Sequence, residues 1–465
     1  MQTKEPKNKY HTIIVGAGLA GLALAYKLKQ AGVDFLLVEN SSRLGGAFNS
    51  KPYASSLYEF GPNTIMNNVQ EMQDLITELD LEDQIISTPF KDSKRYFCFE
   101  HGLVEVPVSP LKFFASPLLS LGAKLRLFAE PFITTKAKSN ESIFEFISRR
   151  FGEEFARTIV SNFFQGIWGG DVNKLEARST ITKLYELDSE HGSVVKGLIK
   201  SPRKKKKQAL KIISFKEGLS TLTNALAEKI GSENILIQTE ISGARHPELY
   251  SSQLNINGQE ISYDNLVLAC PAYQAADLLA PEHEALALEL QGVDYAPIAL
   301  VASSIPKARL SFEAKGFGFL VANANLPKPR FSLGNIWSSE VFEERKVDGE
   351  LLSVNILGGA THPEIKEMNK QKITELSNSE LAQAMGVETK DITVIDSQLI
   401  PKAIPQYNLG HDARIKRIES LLTEIPGLHL ASNYLHGVSV ADTLKNSLNL
   451  VEQLTSPKTK DMVKS

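Results

Sequence analysis

Three glycines stand between a short apolar run and a helix-forming run near the start of the chain, in the pattern Gly16-x-Gly18-x-x-Gly21. In such a pattern the first glycine makes a tight turn, the second lets the backbone approach a pyrophosphate, and the third lets the helix pack against the strand. The phosphates then lie at the helix N-terminus, near the backbone of Leu19 and Ala20. We therefore expect this segment to bind a dinucleotide.

A second apolar strand follows and ends at Glu39, whose carboxylate can accept hydrogen bonds from the hydroxyls of an unphosphorylated ribose. The segment that follows contains Asn40, the cation Arg43 and the paired glycines Gly45 and Gly46. Its backbone can bring more N–H groups, and Arg43 a positive charge, to the same phosphates. This element resembles that of amine-oxidase-type flavoproteins, which implies FAD rather than NAD. A strand–turn–helix unit whose glycines serve packing alone is the alternative.

The composition is that of an ordinary globular protein. A length of 465 residues with 42% hydrophobic content suits two or three domains, and a net charge of −3 predicts no general affinity for nucleic acid. Cys98 and Cys270 form no redox pair, none of the 9 histidines has metal-ligand spacing, and we expect no metal. The cysteine usage indicates a reducing, cytoplasmic location. Only about ten residues precede the first strand, too few for a signal peptide, so we expect the mature chain to start near Met1.

No window reaches the roughly 18 consecutive apolar residues that would suggest a membrane span. From Leu103 to Ile133, however, large apolar side chains mix with sparse cations and prolines, which suits insertion into one leaflet. Helices that cover a deep apolar pocket fit the same pattern. Arg203–Lys207 is either a solvated loop or a contact for anionic headgroups. We expect peripheral association with the inner face of the cell membrane.

Strand and helix patterns alternate in the first part of the chain, between residues 210 and 271, and near the C-terminus, with a helix expected from Gly218 to Ile230. This alternation predicts an α/β fold built on a doubly wound parallel sheet, with ligands outside the C-terminal ends of its strands. Residues 96–209 have mostly helical patterns, and 285–404 contain the alternating runs of an antiparallel sheet.

Several further blocks resemble, in type and order, those of oxygen-dependent protoporphyrinogen oxidases. The blocks are Glu59-Phe-Gly61-Pro62-Asn63-Thr64, Gly166-Ile-Trp-Gly-Gly-Asp171, Leu184–Ser193, Gly316–Val321 and Ile404-Pro-Gln-Tyr-x-x-Gly-His411. The resemblance spans about residues 10 to 455. Its most specific parts are the Gly-Gly-Asp block and the Pro-Gln-Tyr-x-x-Gly-His block, because many flavoproteins share the dinucleotide motif.

The resemblance implies non-covalent FAD and a six-electron oxidation of protoporphyrinogen IX by O2, which gives protoporphyrin IX and hydrogen peroxide in haem biosynthesis. It also implies a homodimer and a molecule in three parts. These are a Rossmann-like FAD-binding domain (1–70, 210–284 and 405–465), an inserted mixed α+β substrate-binding domain (71–95 and 285–404) and a helical membrane-docking domain (96–209).

The matching motifs also carry over site residues. Beyond the N-terminal elements, those expected at FAD are Gly61, Pro62, Asn63, Thr64, Gly437, Val438 and Val440. Those expected at the substrate are Asn63, Arg95 as the partner of a propionate, the backbone of Gly166, and the apolar plates Leu320, Ile336 and Ile356. Aliphatic walls and a cation suit a flat macrocycle with propionates, although each apolar residue taken alone could belong to the core.

Oxidation of a porphyrinogen needs little acid–base catalysis, because the pyrrole nitrogens can lose protons as conjugation forms. We therefore expect no catalytic residue beyond those that position the substrate over the flavin, and we expect His411 and His436 to be structural. Three alternatives stay open: oxidation of coproporphyrinogen III, which has two more carboxylates; oxidation of an amine; and a non-catalytic carrier with the same fold.

Overall fold

The computed structural model describes residues 6–66, 69–90, 93–107, 109–201, 210–245 and 252–455, so the basic run Arg203–Lys207 lies outside the described residues. The strands are β1 (Lys9–Val15), β2 (Phe35–Val38), β3 (Ser50–Tyr53), β4 (Ser56–Glu59), β5 (Ile65–Met66), β6 (Ile85–Pro89), β7 (Arg95–Phe99), β8 (Gly102–Glu105), β9 (Lys211–Phe215), β10 (Ile235–Leu236), β11 (Ile241–Arg245), β12 (Ser252–Ile256), β13 (Gln259–Leu268), β14 (Tyr295–Pro306), β15 (Gly318–Val321), β16 (Ser332–Ile336), β17 (Glu350–Gly358), β18 (Thr393–Pro405) and β19 (Leu428–Leu430). The helices are α1 (Leu19–Gln30), α2 (Gln70–Glu78), α3 (Pro110–Ala115), α4 (Leu121–Phe128), α5 (Ile143–Phe151), α6 (Glu153–Phe155), α7 (Asn162–Trp168), α8 (Ala177–Thr180), α9 (Thr182–His191), α10 (Val194–Lys200), α11 (Ser220–Ile230), α12 (Ala272–Leu279), α13 (Glu284–Gln291), α14 (Lys370–Met385), α15 (His411–Thr423) and α16 (Val440–Thr455).

The first sheet has β1 at its centre. β1 runs parallel to β2 on one side and to β13 on the other, β10 extends the parallel order beyond β2, and β19 pairs in parallel with the end of β13. The β11–β12 hairpin adds an antiparallel edge. These pairings confirm the parallel sheet that the sequence predicts.

Helices cover both faces of this sheet because the central strand is apolar on both sides. Ile14 packs into one cluster with residues of α1, α2, α11 and α16, whereas Ile13 and Val15 pack into a second cluster with residues of α12, α13 and α15. Ile13 and Ile14 have no exposed surface. A strand buried on both faces is typical of the parallel sheets of α/β proteins.

The second sheet has the strand order β18-β14-β17-β16-β15-β7-β8 and is antiparallel except between β15 and β7. It confirms the antiparallel sheet expected between residues 285 and 404. The mostly helical stretch expected from residue 96, however, begins only at Pro110. Residues 96–105 belong instead to β7 and β8, which form a hairpin that extends the second sheet.

The helical part that follows encloses a buried group of charges. The Arg149 guanidinium bonds to the Glu141 carboxylate at 2.7 Å and to Asp188 at 3.0 Å, and Arg150 also pairs with Asp188. Glu130 accepts hydrogen bonds from the hydroxyl and the following backbone N–H at the start of α10. Such buried charges are tolerated because each is paired. Among the described residues no helix is long and apolar enough to cross a membrane.

A buried carboxylate, Glu59 at the end of β4, joins three parts of the fold. It accepts hydrogen bonds from the Leu219 N–H and the Ser50 hydroxyl, both at 2.8 Å, and the Arg345 guanidinium lies 3.9 Å away. Burial raises the pKa of Glu59 to about 7, although its hydrogen bonds and Arg345 act in the opposite direction. Glu59 therefore binds a proton more readily in the folded protein than in the unfolded chain.

We expect Glu59 to make the stability of the protein fall as the pH rises from about 4.5 to 7, because over this interval the folded state holds more protons than the unfolded state. Glu59→Gln keeps one acceptor oxygen, which can still bind the Leu219 N–H, and removes the titration. Thermal unfolding at pH 5 and at about pH 7.5 should show a smaller loss of stability in the variant than in the wild type. An equal loss in both proteins would contradict the assignment.

Candidate functional site

The turn after β1 has a backbone that favours glycine. Gly16 has a φ of +106°, and a Cβ there would lie 2.8 Å from the carbonyl oxygen of Ala269. A Cβ on Gly21 would overlap the Gly16 carbonyl oxygen, so α1 can start this close to β1 only with glycine at both positions. The turn therefore delivers the N-terminus of α1 to the end of β1.

The N-terminus of α1 is open to an anion. Gly18 is the residue before the helix, and no side chain caps the first turn. A Cβ on Gly18 would have Gly46 Cα as its nearest heavy atom, at 3.9 Å, so the protein itself does not fill this space. Uncapped N–H groups and the helix dipole favour a phosphate here, with Leu19 and Ala20 in the first turn. The residues present fit the diphosphate of FAD.

Glu39 lies beside the same turn. One carboxylate oxygen accepts the Ala17 N–H and the other accepts the Ser41 N–H, both at 2.8 Å. A carboxylate has about four acceptor sites, so these two bonds leave capacity for ribose hydroxyls. The neighbouring Asn40 is exposed.

Arg43 makes bonds that the sequence did not predict. Its guanidinium donates to the carbonyl oxygens of Phe48 at 2.5 Å and Gly46 at 2.6 Å, and the Gly45 N–H donates to the Ala17 carbonyl at 2.8 Å. Arg43 therefore holds the second glycine loop in shape, and that loop is bonded to the first turn. Its contact with phosphate stays a prediction.

Two more of the expected segments lie near this end of the sheet. In the Gly61–Thr64 segment the Asn63 side chain donates to the Gly61 carbonyl at 3.1 Å. The segment leads into β5, which packs against α16, and α16 packs along α1. The turn at Gly437 and Val438 leads into Val440, the first residue of α16, whose start is capped by the Ser439 hydroxyl at 3.0 Å from the Asp442 N–H.

The second sheet brings the predicted substrate residues onto one face. Across adjacent strands, Arg95 pairs with Gly318, Gly318 with Ile336, and Ile336 with Val354. The next row of the same face is Phe97, Leu320, Gly334 and Ile356. Directly paired residues share a face, so Arg95, Leu320, Ile336 and Ile356 all lie on it. Sequence reasoning missed Phe97, which only the parallel pairing of β7 with β15 places here.

Arg95 is a half-buried cation at the edge of this face. Its guanidinium donates to the Ser93 carbonyl at 2.9 Å and lies 4.0 Å from the centre of the Phe90 ring. Among the described residues no carboxylate forms an ion pair with it, whereas its neighbour Lys94 pairs with Glu105 at 3.2 Å. Burial lowers the pKa of Arg95, but arginine stays charged in proteins. A carboxylate from a ligand could pair with such a cation, and this role of Arg95 stays a prediction.

Helix α7 lies over the same face. A Cβ on Gly166 would overlap the Leu320 side chain, so the Gly166 backbone is in contact with Leu320. Gly334 lies beside Leu320 on the neighbouring strand, where a Cβ would be 3.1 Å from Leu320 Cδ2. Glycines therefore surround the Leu320 side chain and leave space for it.

The two most specific sequence blocks are bonded to each other, because the Gln406 side chain donates to the Trp168 carbonyl at 3.2 Å, and Glu176, just after the first block, adds further bonds. The Glu176 N–H donates to the Tyr407 carbonyl at 2.7 Å, and the Glu176 carboxylate accepts the Asp412 N–H at 2.9 Å in the first turn of α15. Glu176, which follows the Gly-Gly-Asp block, therefore caps α15, the helix that begins at the end of the Pro-Gln-Tyr-x-x-Gly-His block.

The two histidines near these loops have structural surroundings. His411 stacks on Tyr407 with ring centres 4.0 Å apart, and burial lowers its pKa to about 4, so the ring is neutral near pH 7. His436 is exposed and lies 3.0 Å from Glu419. Among the described residues, no group of three or more His, Cys, Asp or Glu is arranged to hold a metal ion.

The sheet, its glycine turn, the open helix N-terminus and Glu39 define a dinucleotide-binding protein of the Rossmann type. The family model for flavin-containing amine oxidoreductases matches residues 19–454, and the chain belongs to that family. It is accordingly an FAD-dependent oxidoreductase.

Curated relatives cover the chain almost completely. A mitochondrial protoporphyrinogen oxidase of Nicotiana tabacum is 27% identical, over 95% of this chain and 94% of its own length. A coproporphyrinogen III oxidase of Bacillus subtilis is 25% identical, over 94% of this chain and 96% of its own length. Both are proteins to which this chain is similar.

Solved structures show the same fold at low identity. A protein from Exiguobacterium sp. 255-15, described provisionally as a protoporphyrinogen oxidase, has a TM-score of 0.80 at 19% identity and covers 97% of this chain and 99% of its own. A UDP-galactopyranose mutase has a TM-score of 0.72 at 12% identity, with 98% of both chains covered.

We expect Gly18→Ala to lose most of its bound flavin and still fold, because the new methyl group has space in the protein but occupies the path of the diphosphate. Flavin absorbance per mole of purified protein measures the loss, and circular dichroism checks the fold. Gly122→Ala is the matched control, since its Cβ would also have its nearest heavy atom at 3.9 Å, in exposed α4. Full flavin occupancy in Gly18→Ala would contradict the assignment.

Proposed function

We propose that this chain oxidises protoporphyrinogen IX to protoporphyrin IX in haem biosynthesis, with removal of six electrons and O2 as the acceptor, which gives hydrogen peroxide. The observation that carries the proposal is the single sheet face with Arg95 at one edge and Leu320, Ile336 and Ile356 beside it. An apolar wall with one cation suits a flat macrocycle with acidic substituents.

Each part of the face has a role in holding the substrate. Leu320, Ile336 and Ile356 contact the rings, Arg95 binds a propionate, and Asn63 with the Gly166 backbone completes the wall. Bound FAD supplies the acceptor for each hydride. These residues act by orienting the substrate, and we assign none of them the role of a base; His411, which lies close in sequence to the site loops, is stacked on Tyr407 and has a structural role.

Coproporphyrinogen III is the second candidate substrate, because the Bacillus subtilis relative is named for it. That substrate carries two more carboxylates and needs additional cations around the pocket. Arg95 is half-buried and without a carboxylate partner in the described part of the chain, while the adjacent Lys94 is paired with Glu105. This charge distribution favours protoporphyrinogen IX.

A fluorescence assay with the two porphyrinogens side by side tests the function. Faster formation of protoporphyrin supports the proposal. Faster formation of coproporphyrin assigns the same chemistry to the other substrate. If neither porphyrin forms although flavin is bound, the proposal fails and simple amines are the next substrates to assay.

The exposed apolar side chains of the helical part support a second element of the proposal, peripheral attachment to the cell membrane. Leu121, Leu125 and Phe128 lie at helical spacing along α4 and are 74%, 61% and 62% exposed. The Phe128 ring stacks on Phe114 of α3 at 4.7 Å, and Phe132 is 82% exposed just beyond. We propose that this apolar face docks on a lipid surface, with residues 96–209 as the docking part.

We expect Leu121→Ser with Leu125→Ser to bind anionic phospholipid vesicles several-fold more weakly, because two apolar side chains leave the lipid contact. Sedimentation with vesicles measures the bound fraction. The matched control is Leu288→Ser with Leu409→Ser, which changes leucines 59% and 42% exposed outside the helical part. An unaltered bound fraction in the α4 variant would remove the docking role.

We expect Arg95→Ala to raise the KM for protoporphyrinogen IX by about tenfold and to change kcat much less, because it removes a charge-assisted bond that is present before and during the reaction. Steady-state kinetics give both constants. Lys94→Ala is the control, since that lysine is adjacent and paired with Glu105. An unchanged KM in Arg95→Ala would exclude Arg95 from the substrate site.

A further inference from the structure

Helix α7, which carries Gly166, is preceded by a widened π-helical turn, Ala156–Ser161. The first residue of α7, Asn162, has no exposed surface. Its side-chain amide donates to the Thr158 carbonyl at 2.8 Å. In a regular α-helix the backbone N–H of residue 162 would bond to that carbonyl. The Asn162 side chain therefore stabilises the altered turn, and such turns are frequent at functional sites.

Asn162 also reaches outside its own helix. Its amide donates to Asn325 Oδ1 at 2.8 Å, and its Oδ1 accepts the Ala324 N–H at 3.1 Å. Asn325 in turn donates to the Thr158 hydroxyl at 3.1 Å. Asn325 follows β15 closely, and β15 carries Leu320. The amide pair therefore joins the start of α7 to the strand whose side chain lies beneath Gly166.

The other end of α7 is bonded to a second strand. The Gln165 side chain donates to the Thr361 hydroxyl at 2.9 Å, and the Gly169 carbonyl accepts the Ala360 N–H at 2.6 Å. Ala360 and Thr361 lie two and three residues after the end of β17, which carries Ile356. Both ends of α7 are thus fixed to strands that hold apolar plates, with Gly166 between the two attachments.

We propose that Asn162, Asn325 and Gln165 are positioning residues that fix the Gly166 backbone against the sheet face and so set the space for the substrate. The inference rests on the proposed function, because it takes the porphyrinogen to bind at this face. None of the three needs to touch the substrate. Without these bonds α7 would sample several positions. Binding of the substrate would then have to order α7, and the cost of this ordering would weaken the affinity.

The test uses Asn325, because this residue is exposed and truncation of its side chain leaves the core intact. We expect Asn325→Ala to raise the KM for the porphyrinogen about fivefold, as for loss of one hydrogen bond, with kcat and flavin content almost unchanged. Asn325→Asp keeps the oxygen that accepts from Asn162 and should restore the KM. Asn369→Ala is the control for a merely structural effect, since it removes the exposed cap of α14 and should leave the KM unchanged.

Hydrogen exchange of the α7 amides, measured on the flavin-bound protein without substrate, separates this inference from the function. Faster exchange over residues 162–168 in Asn325→Ala, together with the raised KM, supports the proposal. Unchanged exchange or an unchanged KM would overturn it. If the wild type oxidises neither porphyrinogen, the proposed function fails and the substrate part of the inference fails with it, while the exchange rates still show whether Asn325 fixes α7.

Discussion

The alternation of side chains along the strands of the second sheet is the constraint on which the proposed site depends. Arg95 and Ile336 share one row of a sheet face, and Leu320 and Ile356 share the next. A slip of one residue in any of these strands would send its member of the set to the opposite face. That opposite face packs against α14 through Leu351 and other residues of its core. The register therefore decides which side chains can meet a ligand.

Buried polar contacts connect the sheet that carries this face to the rest of the fold. Glu59 bonds to the start of α11 and lies near Arg345, which links the first sheet's helices to the second sheet. Glu176 bonds to the backbone at Tyr407 and caps α15. These contacts are buried and polar, so each is costly to leave half-made. They fix the two sheets relative to each other more specifically than apolar packing would.

The sequence was sufficient for features that depend on neighbouring residues or on strong patterns. The turn at Gly16, the apolar β1 and the helix that starts at Leu19 are local, and the family blocks pointed to the residues that the register places on one face. The sequence was insufficient where a strand or a side chain pairs with a residue far away in the chain. The β7–β8 hairpin depends on pairing with β15, and the Asn162–Asn325 bond joins residues 163 positions apart. The hydrogen bonds that Arg43 donates to backbone carbonyls of its own loop could not be predicted from the sequence, and its contact with a phosphate stays a prediction.

In the function proposed for this chain, a porphyrinogen held on this face reduces FAD bound at the glycine turn. The most direct measurement is anaerobic mixing of the flavin-bound protein with protoporphyrinogen IX, followed by the flavin absorption band. We predict that the band bleaches on mixing, because each flavin takes two of the six electrons, and that it returns when O2 is admitted, with porphyrin fluorescence appearing as O2 reoxidises the flavin for the remaining steps. A band that stays oxidised in the presence of excess protoporphyrinogen IX and coproporphyrinogen III would contradict the account.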